Sequence, residues 1–243
     1  MPNSYFQFKQ FTIHQDQCAM KVCTDACLFG AWVARKMGSR PLTDDSKSDR
    51  RALDIGTGTG LLALMLAQKF DGTIDAIDIQ PDAAQQASEN AGNSPWSNHL
   101  HIHHADLTEW QAEAYDLILS NPPFYEHDLK SPDSQRNLAL HDTGLTLLSL
   151  FENVIRLLKP NGKFALLLPA FRGKEAIDLA KQWGLTATET MQVCQTEKHT
   201  AFRVMFWFEK AKTVGEAKNI RIKENGTYTE AFIELLKDYY LAF

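Results

Sequence analysis

Cysteine is scarce in this chain. Its 243 residues hold four, Cys18, Cys23, Cys27 and Cys194, too sparse for a disulfide scaffold, so a reducing cytosol is the expected setting. Cys23 and Cys27 stand four apart and share a helix face. They read as buried thiols rather than a metal pair, because no further Cys or His at zinc spacing completes a site. No metal is expected. Apolar runs of membrane-spanning length are lacking, and so is an N-terminal signal pattern, which together point to a soluble cytoplasmic protein. Positive charge is also short. The net charge is −5 and the isoelectric point about 5.9. Uniform attraction to nucleic acid is excluded, and any RNA contact must come from a local basic face. What the chain has is a 44% share of hydrophobic residues, enough to bury a full core, and one domain over residues 1–243 is expected.

The hydrophobic pattern alternates strand and helix, which argues an α/β fold. Residues 1–37 form an extension. Tyr5 to Gln15 alternates apolar and polar residues with a break near Gln10, a strand or hairpin with a bulge. Ala26 to Met37 follows as a helix with Thr24 or Asp25 as N-cap. Residues 38–51 are polar and read as a flexible loop. Ala52-Leu53-Asp54-Ile55-Gly56-Thr57-Gly58-Thr59-Gly60 then feeds a short strand into a glycine-rich turn and a helix. Glycines let a backbone approach a ligand closely, and helix N-terminal amides favour a carboxylate or phosphate. A dinucleotide fingerprint would place its third glycine at position 61. Leu61 stands there, which disfavours a nicotinamide enzyme.

Asp78 closes the next strand, where an acidic residue grips ribose hydroxyls in nucleoside-binding α/β folds; the competing reading is a cap for the helix from Pro81. Leu100 to Asp106 is a strand whose histidines, His101 and His103, face away from Leu100 and Ile102. They read as a partly solvated strand edge and not as metal ligands. Asp106 and Leu107 follow it.

An apolar strand, Tyr115 to Leu119, runs into Ser120-Asn121-Pro122-Pro123-Phe124-Tyr125. Proline has no N–H and biases the preceding residue away from helix, so this corner is rigid. An exocyclic ring amine is a poor nucleophile with two N–H donors. The Asn121 side-chain oxygen and the Pro122 carbonyl can hold both hydrogens and turn the lone pair toward a methyl group. Phe124 can stack on the base. The polar stretch after it, with Lys130 and Arg136, suits a substrate lid or RNA contact and equally a plain surface loop.

Helix Leu145–Leu158 is expected to stop at Lys159-Pro160-Asn161-Gly162 before strand Lys163–Leu168. Helix Lys174–Trp183, an antiparallel pair Leu185–Val193 and Ala201–Phe208 at the sheet edge, and a final helix Thr229–Tyr240 complete the pattern. Lys210, Lys212, Lys218, Arg221 and Lys223 form a candidate RNA-backbone contact or a solvated surface.

The Asp-x-Gly-x-Gly-x-Gly turn resembles the S-adenosylmethionine loop of class I methyltransferases, and the Asn-Pro-Pro-aromatic corner resembles that of amine methyltransferases. Adding Phe8 to Phe11, Ala19 to Asp25, Arg136 to Ala139 with His141, Tyr228 to Phe232 and Tyr239 to Leu241, the whole chain resembles bacterial valine-tRNA adenine-37 N6-methyltransferases. It departs from them at Cys23 and Ala26, where Gly is frequent. The resemblance implies a Rossmann-like fold with a seven-stranded, mostly parallel sheet, helices on both faces and an antiparallel edge strand. It implies S-adenosylmethionine as cofactor, a tRNA substrate and a monomer. Lys21 and Thr24 would reach the methionine end, Asp54, Gly56, Gly58 and Gly60 the methionine part, Asp78 the ribose, and Asp106 and Leu107 the adenine. Asn121, which also borders the cofactor, would act with Pro122 and Phe124 in catalysis. Pro123, Phe124, Tyr125, Lys130 and Arg136 would meet the substrate. Related chemistry on guanine amines, DNA adenine or a protein glutamine uses the same corner, and a non-catalytic cofactor- and RNA-binding protein is a further class.

Overall fold

The computed structural model describes residues 3–18, 20–38, 49–122 and 145–243. The chain opens with an antiparallel hairpin, β1 (Tyr5–Gln7) and β2 (Thr12–His14), paired Phe6 to Ile13. Helix α1 (Thr24–Gly38) follows. Thr24 is its first residue, and Asp25 pairs with Arg203 at 2.7 Å rather than capping the helix. Almost the whole helix is buried, as its run of Ala, Leu, Phe, Trp and Val requires.

Eight of the remaining strands build one sheet in the order β10-β8-β9-β7-β6-β3-β4-β5. They are β3 (Arg51–Ile55), β4 (Thr73–Asp78), β5 (Leu100–His104), β6 (Tyr115–Ser120), β7 (Leu158–Pro169), β8 (Thr186–Cys194), β9 (Ala201–Glu209) and β10 (Ala217–Arg221). Strands β3 to β7 are mutually parallel. Their sequences are near-continuous apolar runs because both faces are covered. On one face lie α1, α2 (Leu61–Ala67) and the last helix, α6 (Glu230–Leu236), with the hairpin; on the other lie α4 (Leu147–Leu157) and α5 (Gly173–Gln182). Helix α3 (Pro81–Gly92) links β4 to β5. The small pair β11 (Lys223–Glu224) and β12 (Thr227–Tyr228) precedes α6. Among the described residues no helix is long and apolar enough to cross a membrane.

The Rossmann-like class holds, with two differences of detail. The sheet has eight strands, one more than expected, because β10 returns beside β8 in parallel. Strand β9 is antiparallel to both neighbours but lies third from the edge. The stop at Lys159 to Gly162 is no loop. These residues lie within β7, across a register shift where Tyr115 pairs with Leu158 and then Leu117 with Lys163. Residues 39–48, the core of the expected flexible loop, lie outside the described residues.

The basic run does not form one patch. Strand β9 ends at Glu209 opposite Lys163, so Lys210 and Lys212 follow at the edge where the parallel strands begin. Arg221 pairs with Cys194, at the edge where they end.

A cofactor loop and a proline corner on adjacent strands

The candidate site residues that the structure describes gather where the parallel strands end. Ile55 pairs with Ser120 on β6 and with Ile77 on β4, so Gly56, Asn121 and Asp78 leave three adjacent strands within one register step. The buried Ser120 hydroxyl donates to the Ile55 carbonyl at 2.9 Å and locks the two strand ends together. Sequence reasoning placed Ser120 in the motif but gave it no role; a lone polar residue closing an apolar strand was the available signal.

Gly56, Gly58 and Gly60 all have positive φ, +68°, +56° and +82°, which glycine adopts without steric cost. Their surroundings differ. A Cβ at Gly56 or Gly58 would meet nothing within 4 Å, whereas at Gly60 it would sit 3.4 Å from the Ala87 Cβ. The first two glycines therefore line open space, and the third lets α2 pack against α3. The loop is held by Gly56 and Thr57 amides donating to the Ile77 carbonyl at 2.9 and 3.0 Å. The Gly58 amide donates to Asp78 Oδ2 at 2.8 Å, and Gln80 N–H donates to Asp78 Oδ1 at 2.9 Å. Asp78 is thus a loop anchor, and each of its oxygens keeps a lone pair to accept again.

Asp54 lies beneath the loop, fully buried. Its Oδ2 accepts from the Thr57 hydroxyl at 2.6 Å, while its Oδ1 has no partner. Burial pushes its carboxyl up to about 7, opposed by hydrogen bonds from the Thr57 hydroxyl and the Ala63 amide and assisted by the Asp78 charge. An orphaned buried carboxylate oxygen is costly unless something cationic or donating completes it.

Asp106 follows β5, whose last pair is Asp78 with His104. Its Oδ1 accepts from the Thr108 amide and hydroxyl, both at 2.8 Å, in a compact turn. Leu107 is buried. Arg156 on α4 clamps this turn, donating to the Leu107 and Trp110 carbonyls at 3.0 and 2.7 Å. Nothing in the local sequence around Arg156 announced that role. His103 contacts Asp75 at 3.2 Å and packs on Trp110. Among the described residues no group of three His, Cys, Asp or Glu could hold a metal.

The N-terminal segment is fastened over the same edge. Asn90 on α3 accepts from His14 N–H at 2.9 Å and donates to the His14 and Thr59 carbonyls at 2.8 and 2.9 Å. Gln86 accepts from the Gln17 amide at 3.1 Å. Buried Gln15 accepts from the Val22 amide at 2.8 Å, and the Lys21 ammonium donates to the Gln15 carbonyl. Thr24 is exposed at the start of α1.

Asn121 is half-buried and Pro122 buried, and no hydrogen bond to another described residue engages the Asn121 amide. Pro123, Phe124, Tyr125, Lys130 and Arg136 lie outside the described residues.

A glycine cradle facing open space lies one register step from Asn121 and Pro122, and comparison with known proteins shows which kind of chain carries it. Residues 19–203 match the model of the methyltransferase small domain. A tRNA1(Val) (adenine(37)-N6)-methyltransferase from Dyadobacter fermentans is 40% identical over 99% of both chains. One of the same name from Tolumonas auensis is 38% identical over 97% of this chain and 96% of its own. The chain belongs to this methyltransferase family. Solved structures agree on the fold of the methyltransferase. A predicted O-methyltransferase from Agrobacterium tumefaciens superposes with TM-score 0.63 at 16% identity, covering 88% of this chain and 96% of that one. A SAM-dependent methyltransferase from Aquifex aeolicus gives 0.52 at 16% identity, covering 77% and 93%. The methyltransferase's own residues fit S-adenosylmethionine: Gly56 and Gly58 leave room for it, and the unpartnered Asp54 oxygen suits a cationic amino group.

Proposed function

We propose that this methyltransferase moves the methyl group of S-adenosylmethionine to the exocyclic N6 of an adenine in tRNA, at position 37 of a valine tRNA as its relatives' names state. The observation that carries the reading is the register step that sets Asn121 beside Gly56. The proposal includes a single catalytic unit that works as a cytoplasmic monomer.

Asp54 and the Gly56 to Gly60 loop receive the methionine part, with Lys21 and Thr24 bordering its far end. Asp78 takes the ribose hydroxyls while keeping its hold on Gly58. Asp106 and Leu107, braced by Arg156, receive the adenine. When bound, the cofactor supplies an electrophilic methyl carbon on a cationic sulfur. Asn121 accepts one N6 hydrogen through its side-chain oxygen, and Pro122 accepts the other through its carbonyl. Because proline cannot donate, this corner presents acceptors to the amine. The two contacts draw the nitrogen out of conjugation and aim its lone pair, so orientation and electrostatics carry the rate. Held this way by Asn121 and Pro122, the N6 lone pair would take that methyl carbon, forming the C–N bond with the thioether as leaving group. The methylated nitrogen, now cationic, releases one proton to solvent. Phe124 stacks on the flipped base.

Changing Asn121 to Ala should lower kcat by at least about 100-fold, the order of loss for a single stabilising contact, with cofactor affinity within about twofold of wild type. Full activity in that variant would remove Asn121 from the mechanism. Tritiated methyl incorporation into tRNA, rRNA, DNA and a release factor tests the substrate, and absence of label in tRNA defeats the assignment.

A further inference from the structure

The edge that carries Asn121 is electrically divided. On its β4–β5 side lie Asp78 and Asp106, and the charges of Asp78, Asp16 and Asp82 converge on buried Cys18, with Lys21 opposing. That half is predominantly acidic, which disfavours a polyanion there. The other half is formed by the end of β7, the start of β9 and the ends of β8 and β10. Pro169 pairs with Arg203 and Cys194 with Arg221, so these four termini lie together.

This second half displays aromatic rings to solvent. Phe171, in the 3-10 turn that follows β7, is 75% exposed, and Phe202 on β9 is 37% exposed. The chain leaving Pro169 passes beside Phe202. The Arg203 guanidinium lies 5.6 Å from the Phe202 ring centroid and is tied to Asp25 at 2.7 Å, so the flat pair is fixed to the start of α1. Cations border it. Lys198 lies in the β8–β9 turn. The Lys223 amide donates to the Gln195 carbonyl at 3.1 Å, extending β10's path along the same edge, and its ammonium lies over Tyr228. Arg221 pairs with Glu224 at 3.2 Å, Arg172 pairs with Glu175, and Glu197 adjoins Lys198. The face is therefore only mildly basic, and its distinguishing feature is aromatic surface with cations around it.

We infer that this β7–β10 half of the edge is where the RNA substrate docks. Unpaired loop bases stack on Phe171 and Phe202, and Lys198, Lys223 and Arg221 meet the flanking phosphates. Exposed rings beside a reactive corner suit single-stranded nucleotides, since every base offers a flat face. The inference rests on the proposed RNA substrate.

Fluorescence anisotropy with a labelled anticodon stem-loop, together with methyl incorporation into the same RNA, tests it in the full-length protein. The Phe171→Ala/Phe202→Ala variant should bind the RNA at least about tenfold more weakly, as expected for lost stacking. Its S-adenosylmethionine affinity should be unchanged by calorimetry. Phe171→Tyr, which keeps a ring, should bind as wild type. RNA affinity in the double Ala variant within twofold of wild type, while wild type methylates tRNA, overturns the docking face. Wild-type RNA binding that the variant loses, with no methylation, supports the face and sinks the functional reading. A wild type that binds no RNA overturns both.

Discussion

At the scale of single residues, burial of Asp54 works against the charge that its proposed contact with the cofactor needs. Its carboxyl rises to about 7 because the folded protein strips it of water. In the unfolded chain it ionises near pH 4. The cost of ionising it in the fold therefore grows as pH rises from about 4 to about 7, and the cofactor-free protein loses stability from this group across that window. A bound cationic amino group reverses the sign, since it favours the ionised form. Cofactor affinity should rise between pH 6 and 7.5 as Asp54 loses its proton. In Asp54→Asn the affinity should be weaker and its slope with pH lower. Calorimetric titration at several pH values reads both, and identical slopes in the two proteins would remove Asp54 from the cationic contact. Asp54 was named from the glycine pattern alone, because that motif is contiguous and its spacing is rigid. The role of Ser120 was missed, because it depends on a neighbouring strand 65 residues away in sequence.

At the scale of elements, local periodicity gave most strands and helices, although the last helix, expected over Thr229–Tyr240, spans Glu230–Leu236 with Thr229 as its cap, accepting from Phe232 N–H at 3.2 Å. The eighth strand was missed because Ala217 to Arg221 has one buried residue, Ile220, and no alternation strong enough to mark a strand. Docking of the hairpin was equally hidden. Asn90 sits in an alanine-rich helix and looks like a surface amide, yet it is buried and joins β2 to the glycine loop. Asn90→Ala leaves the His14 amide and the His14 and Thr59 carbonyls without these partners. The Thr59 carbonyl is buried and costs about 1–3 kcal/mol when stranded, and the two part-buried His14 groups add less each. A total loss of about 3 kcal/mol should lower Tm by roughly 6–12 °C, and cofactor affinity should fall because Thr59 lies in the loop. The exposed neighbour Asn93→Ala serves as control. Equal Tm values in the two variants, read by differential scanning calorimetry, would show that the hairpin is held by its apolar contacts alone.

For the whole molecule the question is how a chain of net charge −5 binds a polyanion. Long-range attraction is absent, so contact depends on the few cations at the β7–β10 half of the edge, within about one Debye length of the RNA at physiological salt. Each phosphate neutralised in a single-stranded segment contributes about −0.7 to the slope of log affinity against log salt. With Lys198, Lys223 and Arg221 as the contacts, the slope should be near −2, well short of that of a strongly basic RNA binder. Cofactor affinity should stay nearly flat over the same range, since its one proposed ion contact is to the buried Asp54. Lys198→Ala and Lys223→Ala should each flatten the RNA slope by about 0.7, whereas Lys210→Ala, at the opposite edge of the sheet, should leave it unchanged. Anisotropy titrations from low to moderate salt measure these slopes. A slope that responds to Lys210 but not to Lys198 or Lys223 would move the RNA to the other edge, away from Asn121, and no adenine bound there could reach the methyl donor.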